Sequence, residues 1–257
     1  TIHCSLYVML LLNLVPLVPS WVAASTGPPR ASRAAVRMDQ ALIIQNKGGG
    51  HGEIGYHLAL QLAGEKGMDV TLLHEGPNKG KPPHNSYGDL DAAGVKVIWR
   101  DSLDDAVGCI SALGDGKFSA IIDNWSKTPE QIQPYAELAQ AMGVTNYCYI
   151  SSAGMYEPES DAIVTEECAC KPTGQREAEL LLADMGLPFT YFRPQYIYGP
   201  QQGKSYLAYF FNRITRGKPV LVPNAGDQCV TMTHAADNAA MVAAAVGNPK
   251  AIGAPSS

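Results

Sequence analysis

Short apolar runs and stretches with helical spacing take turns along most of the chain. "ALIIQ" (41–45), "DVTLLHE" (69–75), "VKVIWRD" (95–101), "FSAIIDN" (118–124), "TNYCYISS" (145–152) and "PFTYFRP" (188–194) have strand length and are rich in β-branched and aromatic residues. Between them, "EIGYHLALQLAGEKG" (53–67), "SLDDAVGCISALG" (102–114), "TPEQIQPYAELAQAMG" (128–143) and "TGQREAELLLADMG" (173–186) return apolar residues every three or four positions. Ser102 is the expected cap of the second helix, and Thr128, followed by Pro129, the cap of the third. Further on, "SYLAYFFNRITRG" (205–217) and "THAADNAAMVAAAVGNP" (233–249) predict helices, with a strand and loop in "KPVLVPNAG" (218–226). Such alternation predicts an α/β domain over residues 39–250, built on a doubly wound, mostly parallel sheet with right-handed crossovers. The final "NPKAIGAPSS" predicts no closing element, and residues 251–257 read as a truncated end.

The first 38 residues follow another pattern. Residues 6–24 are apolar but interrupted by Asn13, Pro16 and Pro19, which argues against a spanning helix. Residues 25–38 carry Arg30, Arg33 and Arg37 with serines and no acid. A hydrophobic signal followed by a basic segment predicts a two-part address to a plastid bounded by extra membranes, with no membrane attachment in the mature form. The full chain has a formal charge of −5; without the three arginines, 16 basic and 24 acidic residues remain. A body this acidic excludes broad affinity for polyanions, so any nucleic-acid contact must be local. Cys168 and Cys170 form a C-x-C without the second pair that zinc requires, and no metal site is legible.

"NKGGGHGEIGYH" (46–57) joins the first strand to the first helix, with Gly49, Gly52 and Gly55 spaced G-x-x-G-x-x-G. In that setting the first glycine permits a tight turn and the second lets backbone approach a pyrophosphate. The third lets the helix pack on the strand, and the helix N-terminus favours phosphate. This predicts a Rossmann-type site for NAD or NADP. His51 is placed to reach a phosphate, and Glu75, after His74 at the end of the second strand, to hold ribose hydroxyls. Asn124 and Ser151, ending later strands, complete the expected cofactor-binding set.

The loop, together with "YISSAGMY" (149–156), "YFRPQYIYGP" (191–200) and "THAADNAA" (233–240), resembles the extended short-chain dehydrogenase/epimerase superfamily. Within it, "GGHGEIG", "IIDNW", "ISSAGMY" and "FRPQYIYG" look most like the chloroplast stem-loop binding proteins. The resemblance implies plastid RNA binding, endoribonuclease-type activity aided by a divalent metal, and association with transcripts, ribosomes or transcription complexes. It also implies that the small C-terminal substrate domain of the superfamily is largely missing from residues 1–257. Superfamily reductases use a Tyr-x-x-x-Lys pair, in which lysine lowers the phenol's pKa for proton exchange during hydride transfer. Here Lys171 stands at the tyrosine position and Gln175 at the lysine position, and the chain contains no Tyr-x-x-x-Lys.

Three functions stay open. The first is RNA binding on a dinucleotide scaffold, with Arg193, Lys204, Arg213, Arg216 and Lys218 as contacts and Lys79 and Lys81 nearby. For Arg193 the competing reading is a pair with a carboxylate. For Tyr206, Tyr209, Phe210 and Phe211 it is core packing rather than a base-stacking platform. The second is sugar-nucleotide epimerase or reductase chemistry with Tyr156 as the acid–base group. The third is a non-catalytic scaffold, monomeric or oligomeric, whose partner binding follows NAD(P) occupancy. Asp123, Glu157 and Asp161 lie near the expected site edge without forming a diagnostic carboxylate cluster.

Overall fold

The computed structural model describes residues 39–46, 53–76, 84–158, 164–200, 206–222, 224–227, 230–253 and 255–256. Residues 1–38, the middle of the glycine loop, Lys79, Lys81, Asp161 and Lys204 lie outside them.

Among the described residues, seven strands form one sheet, every neighbouring pair parallel: β1 (Gln40–Gln45), β2 (Asp69–Glu75), β3 (Lys96–Arg100), β4 (Ala120–Asn124), β5 (Asn146–Ile150), β6 (Phe189–Phe192) and β9 (Pro255–Ser256). Their order is β3-β2-β1-β4-β5-β6-β9. A two-residue pair, β7 (Ile197–Tyr198) with β8 (Thr233–His234), stands apart from it. The helices are α1 (Ile54–Gly64), α2 (Gly88–Ala92), α3 (Ala106–Leu113), α4 (Pro129–Met142), α5 (Gly174–Asp184), α6 (Tyr206–Thr215) and α7 (Ala235–Ala245).

The central strands carry apolar runs rather than alternation because both faces are covered. On one side Ile43, Leu72 and Ile122 pack with Leu58 and Leu62 of α1, Leu90 of α2 and Val242 of α7. On the other, Leu42, Ile44, Leu73 and Tyr147 pack with Cys109 of α3, Ile132 and Tyr135 of α4, and Leu182 of α5. The chain runs outward from β1 through β2 to β3, then returns to the other side of β1 at β4. That reversal opens a crevice beyond the carboxyl ends of β1 and β4, where such sheets bind ligands.

Local chemistry sets the boundaries, with some differences from the sequence reading. Thr128 precedes α4 with Pro129 at its first position, and Gly143 closes it at φ +63°. The predicted Ser102 cap does not form: Ser102 Oγ donates to Asp104, and Asp105 caps α3 by accepting from Gly108 N at 3.0 Å. Asp105 also pairs with Arg100 at 3.1 Å, an anchor that Ser102 lacks. The described part of "KPVLVPNAG" forms no strand. β9, for which the sequence predicted no element, adds to the β6 edge.

Candidate functional site at the carboxyl edge of the sheet

Where β1 ends, Gln45 is fully buried and its Oε1 accepts from Asn124 Nδ2 at 2.9 Å and from Gly55 N at 3.1 Å. A Cβ on Gly55 would lie 2.0 Å from that oxygen. The third glycine of the motif therefore presses the start of α1 onto the end of β1, as its spacing predicts. Asn46 Nδ2 donates to Asn124 O at 2.8 Å, which fastens β1 to β4 across the crevice. Gln45 Nε2 and Ser151 Oγ are buried here without hydrogen-bond partners, and Glu75 is half-buried at the end of β2. Unsatisfied buried polar atoms beside a glycine-only approach fit a polar ligand such as a dinucleotide. Gly49, His51 and Gly52 lie outside the described residues.

Farther along the edge, the positions of the hydride-transfer pair are occupied differently. Lys171 is exposed, three residues before α5, and Gln175 sits half-buried in the helix's first turn. Thr173 Oγ1 caps α5 by accepting from Arg176 N at 3.2 Å. Tyr156, the alternative acid, has its phenol oxygen accepting from Arg193 Nη1 at 2.7 Å. Arg193 lies over the rings of Tyr156 and Tyr191 and forks onto Glu179, with Nε 2.9 Å from Oε1 and Nη2 2.6 Å from Oε2. Arg176 joins the same carboxylate at 2.9 Å. Burial alone would lower the Arg193 pKa; its bonds to Glu179 and Tyr156 outweigh that and hold it above the usual value. The guanidinium is thus engaged with a carboxylate, the competing reading of this residue.

Asp123 is consumed by structure as well. Its Oδ1 accepts from Trp125 N and Ser126 N, both at 2.9 Å, and its Oδ2 from Ser126 Oγ at 2.6 Å and Tyr147 OH at 3.0 Å. Glu157 is exposed. Asp237 stands in the first turn of α7, whose cap is His234.

On α6 the core reading does not hold for Tyr209, Phe210 and Phe211. Tyr209 and Phe210 are exposed, Phe211 and Ile214 even more so at 60% and 62%. Arg213 lies over the Tyr209 ring at 5.5 Å and donates to Pro219 O, while Arg216 and Lys218 are exposed. Cations and uncovered rings share one surface here.

Sequence reasoning missed a second group, formed where α1, β2 and the 84–86 turn meet. Glu53 precedes α1, His74 is the next-to-last residue of β2, and His84 opens the turn. Tyr87 OH donates to Glu53 Oε2 at 2.5 Å, and Trp99 packs on both imidazoles, 4.4 Å from His74 and 5.2 Å from His84 between ring centres. Burial and then His74 lower the His84 pKa against the opposing pull of Glu53. Burial first, then the Glu53 carboxylate, raise that of Tyr87. The one trace in the sequence was His74, a histidine closing the apolar run of β2.

Nearby His57 has its pKa lowered, first by burial and then by His234, whose ring centre is 6.2 Å away. A histidine that resists protonation in the folded state lets the unfolded chain bind more protons once pH falls below about 6.5. Stability contributed by neutral His57 should therefore be present above that pH and be lost as pH falls toward its folded value. Urea unfolding at pH 7.5 and pH 5.5 should show a smaller loss on acidification for His57→Gln than for the unsubstituted chain.

Residues 48–257 match the sequence profile of the NAD dependent epimerase/dehydratase family. Over 213 residues the chain is 32% identical to the chloroplast stem-loop binding protein of 41 kDa b of Arabidopsis thaliana, which covers 79% of this chain and 55% of that protein. The chain thus spans about half the length of this curated relative. Among solved structures, the Bordetella bronchiseptica enzyme WbmH in complex with NAD+ superposes with a TM-score of 0.63 at 22% identity, over 82% of this chain and 73% of that one. The dTDP-glucose 4,6-dehydratase of Bacillus anthracis in complex with NAD gives 0.67 at 14% identity, over 82% and 72%. Strand order, the Gly55 contact and the extent of the profile match agree: the chain belongs to the NAD dependent epimerase/dehydratase family.

Proposed function

We infer that the chain is the dinucleotide-binding core of a plastid RNA-binding protein of the stem-loop binding type, without hydride-transfer chemistry. The observation that carries this reading is the state of the proton-exchange apparatus. Lys171 and Gln175 stand where tyrosine and lysine are needed, and the chain contains no Tyr-x-x-x-Lys. A bound nicotinamide could exchange hydride productively only beside a group able to move a proton. NAD or NADP would be held by the loop of Gly49, Gly52 and Gly55 with His51, by Glu75 at the ribose, and by Asn124 and Ser151 at the strand ends. The name of the Arabidopsis relative supports the plastid location and the RNA.

The α6 surface is the best-supported RNA contact. Arg213, Arg216 and Lys218, with Lys204 before the helix, offer phosphate contacts in an otherwise acidic body, and Tyr209, Phe210 and Phe211 offer faces for unpaired bases. Single-stranded loops can be stacked in this way, whereas the deep groove of A-form duplex excludes side chains. Filter binding of a plastid stem-loop across a salt series tests this. Changing Arg213, Arg216, Lys218 and Lys204 to Gln should weaken binding and flatten the salt dependence by about 0.7 log units per lost phosphate contact. Phe211→Ala should cost about 1–3 kcal/mol if a base stacks on it. Equal affinity and slope in all variants would move the RNA surface elsewhere. RNA cleavage with added Mg2+ is read in the same samples. Protein-dependent absorbance change at the nicotinamide band with a sugar nucleotide would instead favour epimerase or reductase chemistry.

A further inference from the structure

Three side-chain atoms with lone pairs converge in the pocket between α1, β2 and the 84–86 turn. Glu53, His74 and His84 each offer one ligand atom, and all of these lie within 4.8 Å of one another. His74 Nε2 is 3.9 Å from Glu53 Oε2, and His84 Nε2 is 3.9 Å from Glu53 Oε1. The side chains of Glu53 and His74 are 0% exposed and that of His84 10%. Glu53 Oε1, His74 Nε2 and His84 Nε2 are all buried without a hydrogen-bond partner. Three orphaned polar atoms facing one another in a wall of Tyr87 and Trp99 are costly unless something lies between them.

We propose that Glu53, His74 and His84 bind a zinc-type divalent cation, with one coordination position left to water or another small oxygen ligand. Two imidazoles and a carboxylate form a donor set suited to first-row transition ions, not to Mg2+ or Ca2+, which take oxygen ligands. The surroundings are arranged as metal sites require. His74 Nδ1 lies 2.7 Å from Glu75 O. A carbonyl only accepts, so Nδ1 carries a proton, which leaves Nε2 as the ligand atom of His74 facing Glu53 and His84. Tyr87 orients the carboxylate through its hydrogen bond to Oε2. For a tetrahedral ion with bonds of about 2.0–2.2 Å the ligand atoms must draw together by roughly 0.5–1.5 Å, a closure that falls to rotations of the three side chains. The competing explanation is an ion pair between Glu53 and a protonated histidine. At 3.9 Å neither contact is a hydrogen bond.

The three ligands come from segments far apart in sequence, and Glu53 directly follows Gly52 of the glycine loop. A bound ion would fasten the start of α1 to the end of β2. This site does not depend on whether RNA or a dinucleotide is bound.

The experiment is calorimetric titration of the full chain, stripped with a chelator, with Zn2+, followed by absorption spectroscopy with Co2+. One equivalent should bind, unaffected by millimolar Mg2+, and Co2+ should give a visible tetrahedral spectrum without a near-ultraviolet thiolate charge-transfer band. Glu53→Gln, His74→Gln and His84→Gln should each weaken Zn2+ by at least about tenfold, and Tyr87→Phe by about 10–100-fold through loss of orientation. A Cys168→Ser, Cys170→Ser double variant should bind as the unsubstituted chain does. No heat with Zn2+, a thiolate band with Co2+, or full affinity in His84→Gln would overturn the proposal. The cobalt spectrum of the unsubstituted chain and the peripheral His84→Gln keep the test decisive if the fully buried Glu53 or His74 variants fail to fold.

Discussion

Glu179→Ala should destabilise the chain by about 3–5 kcal/mol, because it strands a buried cation. The Arg193 side chain is 6% exposed and that of Glu179 1% exposed, so water cannot replace the lost carboxylate. Among the described residues, Arg193 would keep only the Tyr156 oxygen, a weak sulfur contact to Cys170 and the two flanking rings. Removing both charges together is a different matter. Glu179→Leu with Arg193→Met exchanges the pair for apolar groups of similar volume, which costs little in comparable sites. Urea unfolding should therefore show a much lower midpoint for the single variant and a midpoint near the original for the double variant, with similar slopes. A loss under about 1 kcal/mol in Glu179→Ala would mean that the pair behaves like a solvated surface contact.

Gly55→Ala should also destabilise, against the usual trend. A glycine inside a helix normally gains up to about 1 kcal/mol when changed to alanine. Here the new methyl would sit 2.0 Å from Gln45 Oε1. Gln45 is fully buried and bound to Asn124, so it cannot swing away without leaving the Asn124 amide unsatisfied. Overpacking costs about 1–3 kcal/mol, and the orphaned donor adds about 1–3 kcal/mol more. Displacing α1 from β1 would also misplace the helix N-terminus that a pyrophosphate needs. Thermal unfolding and NAD calorimetry should both register the change, and Gln45→Ala in the same chain should restore part of the stability. A neutral or stabilising Gly55→Ala would show that the helix can retreat from the strand without cost.

The sheet was legible because strands buried on both faces read as near-continuous apolar runs, as "ALII" and "AII" do before their polar ends. α2 was not, since five residues are too short to display a helical period. The choice of Asp105 over Ser102 as a cap turned on Arg100, which reaches it from the end of β3. For α6, helical spacing of the aromatics pointed to packing in the core, but spacing alone does not say what covers a helix, and Tyr209, Phe210 and Phe211 are exposed. Arg193 was ambiguous for a related reason: its position at the strand end is local, whereas its partner Glu179 lies on α5, 14 residues earlier. Glu53, His74 and His84 carry no spacing signature at all. Pairing of β1 with β2, and the turn that returns toward them, bring them together.

The place of β1 in the sheet also has a consequence for how the chain is made. β1 bonds to β2 on one edge and to β4 on the other, with Gln45 opposite both His74 and Asn124. The second partner follows 79 residues later. At synthesis rates of about 5–20 residues per second, β1 leaves the ribosome roughly 4–16 s before β4 exists to cover it. During that interval a strand whose Ala41, Leu42, Ile43 and Ile44 are all destined for the interior presents an open edge to every neighbouring chain. Nascent chains should therefore be most prone to association when the ribosome stands between these two strands, and holdase chaperones should engage them there.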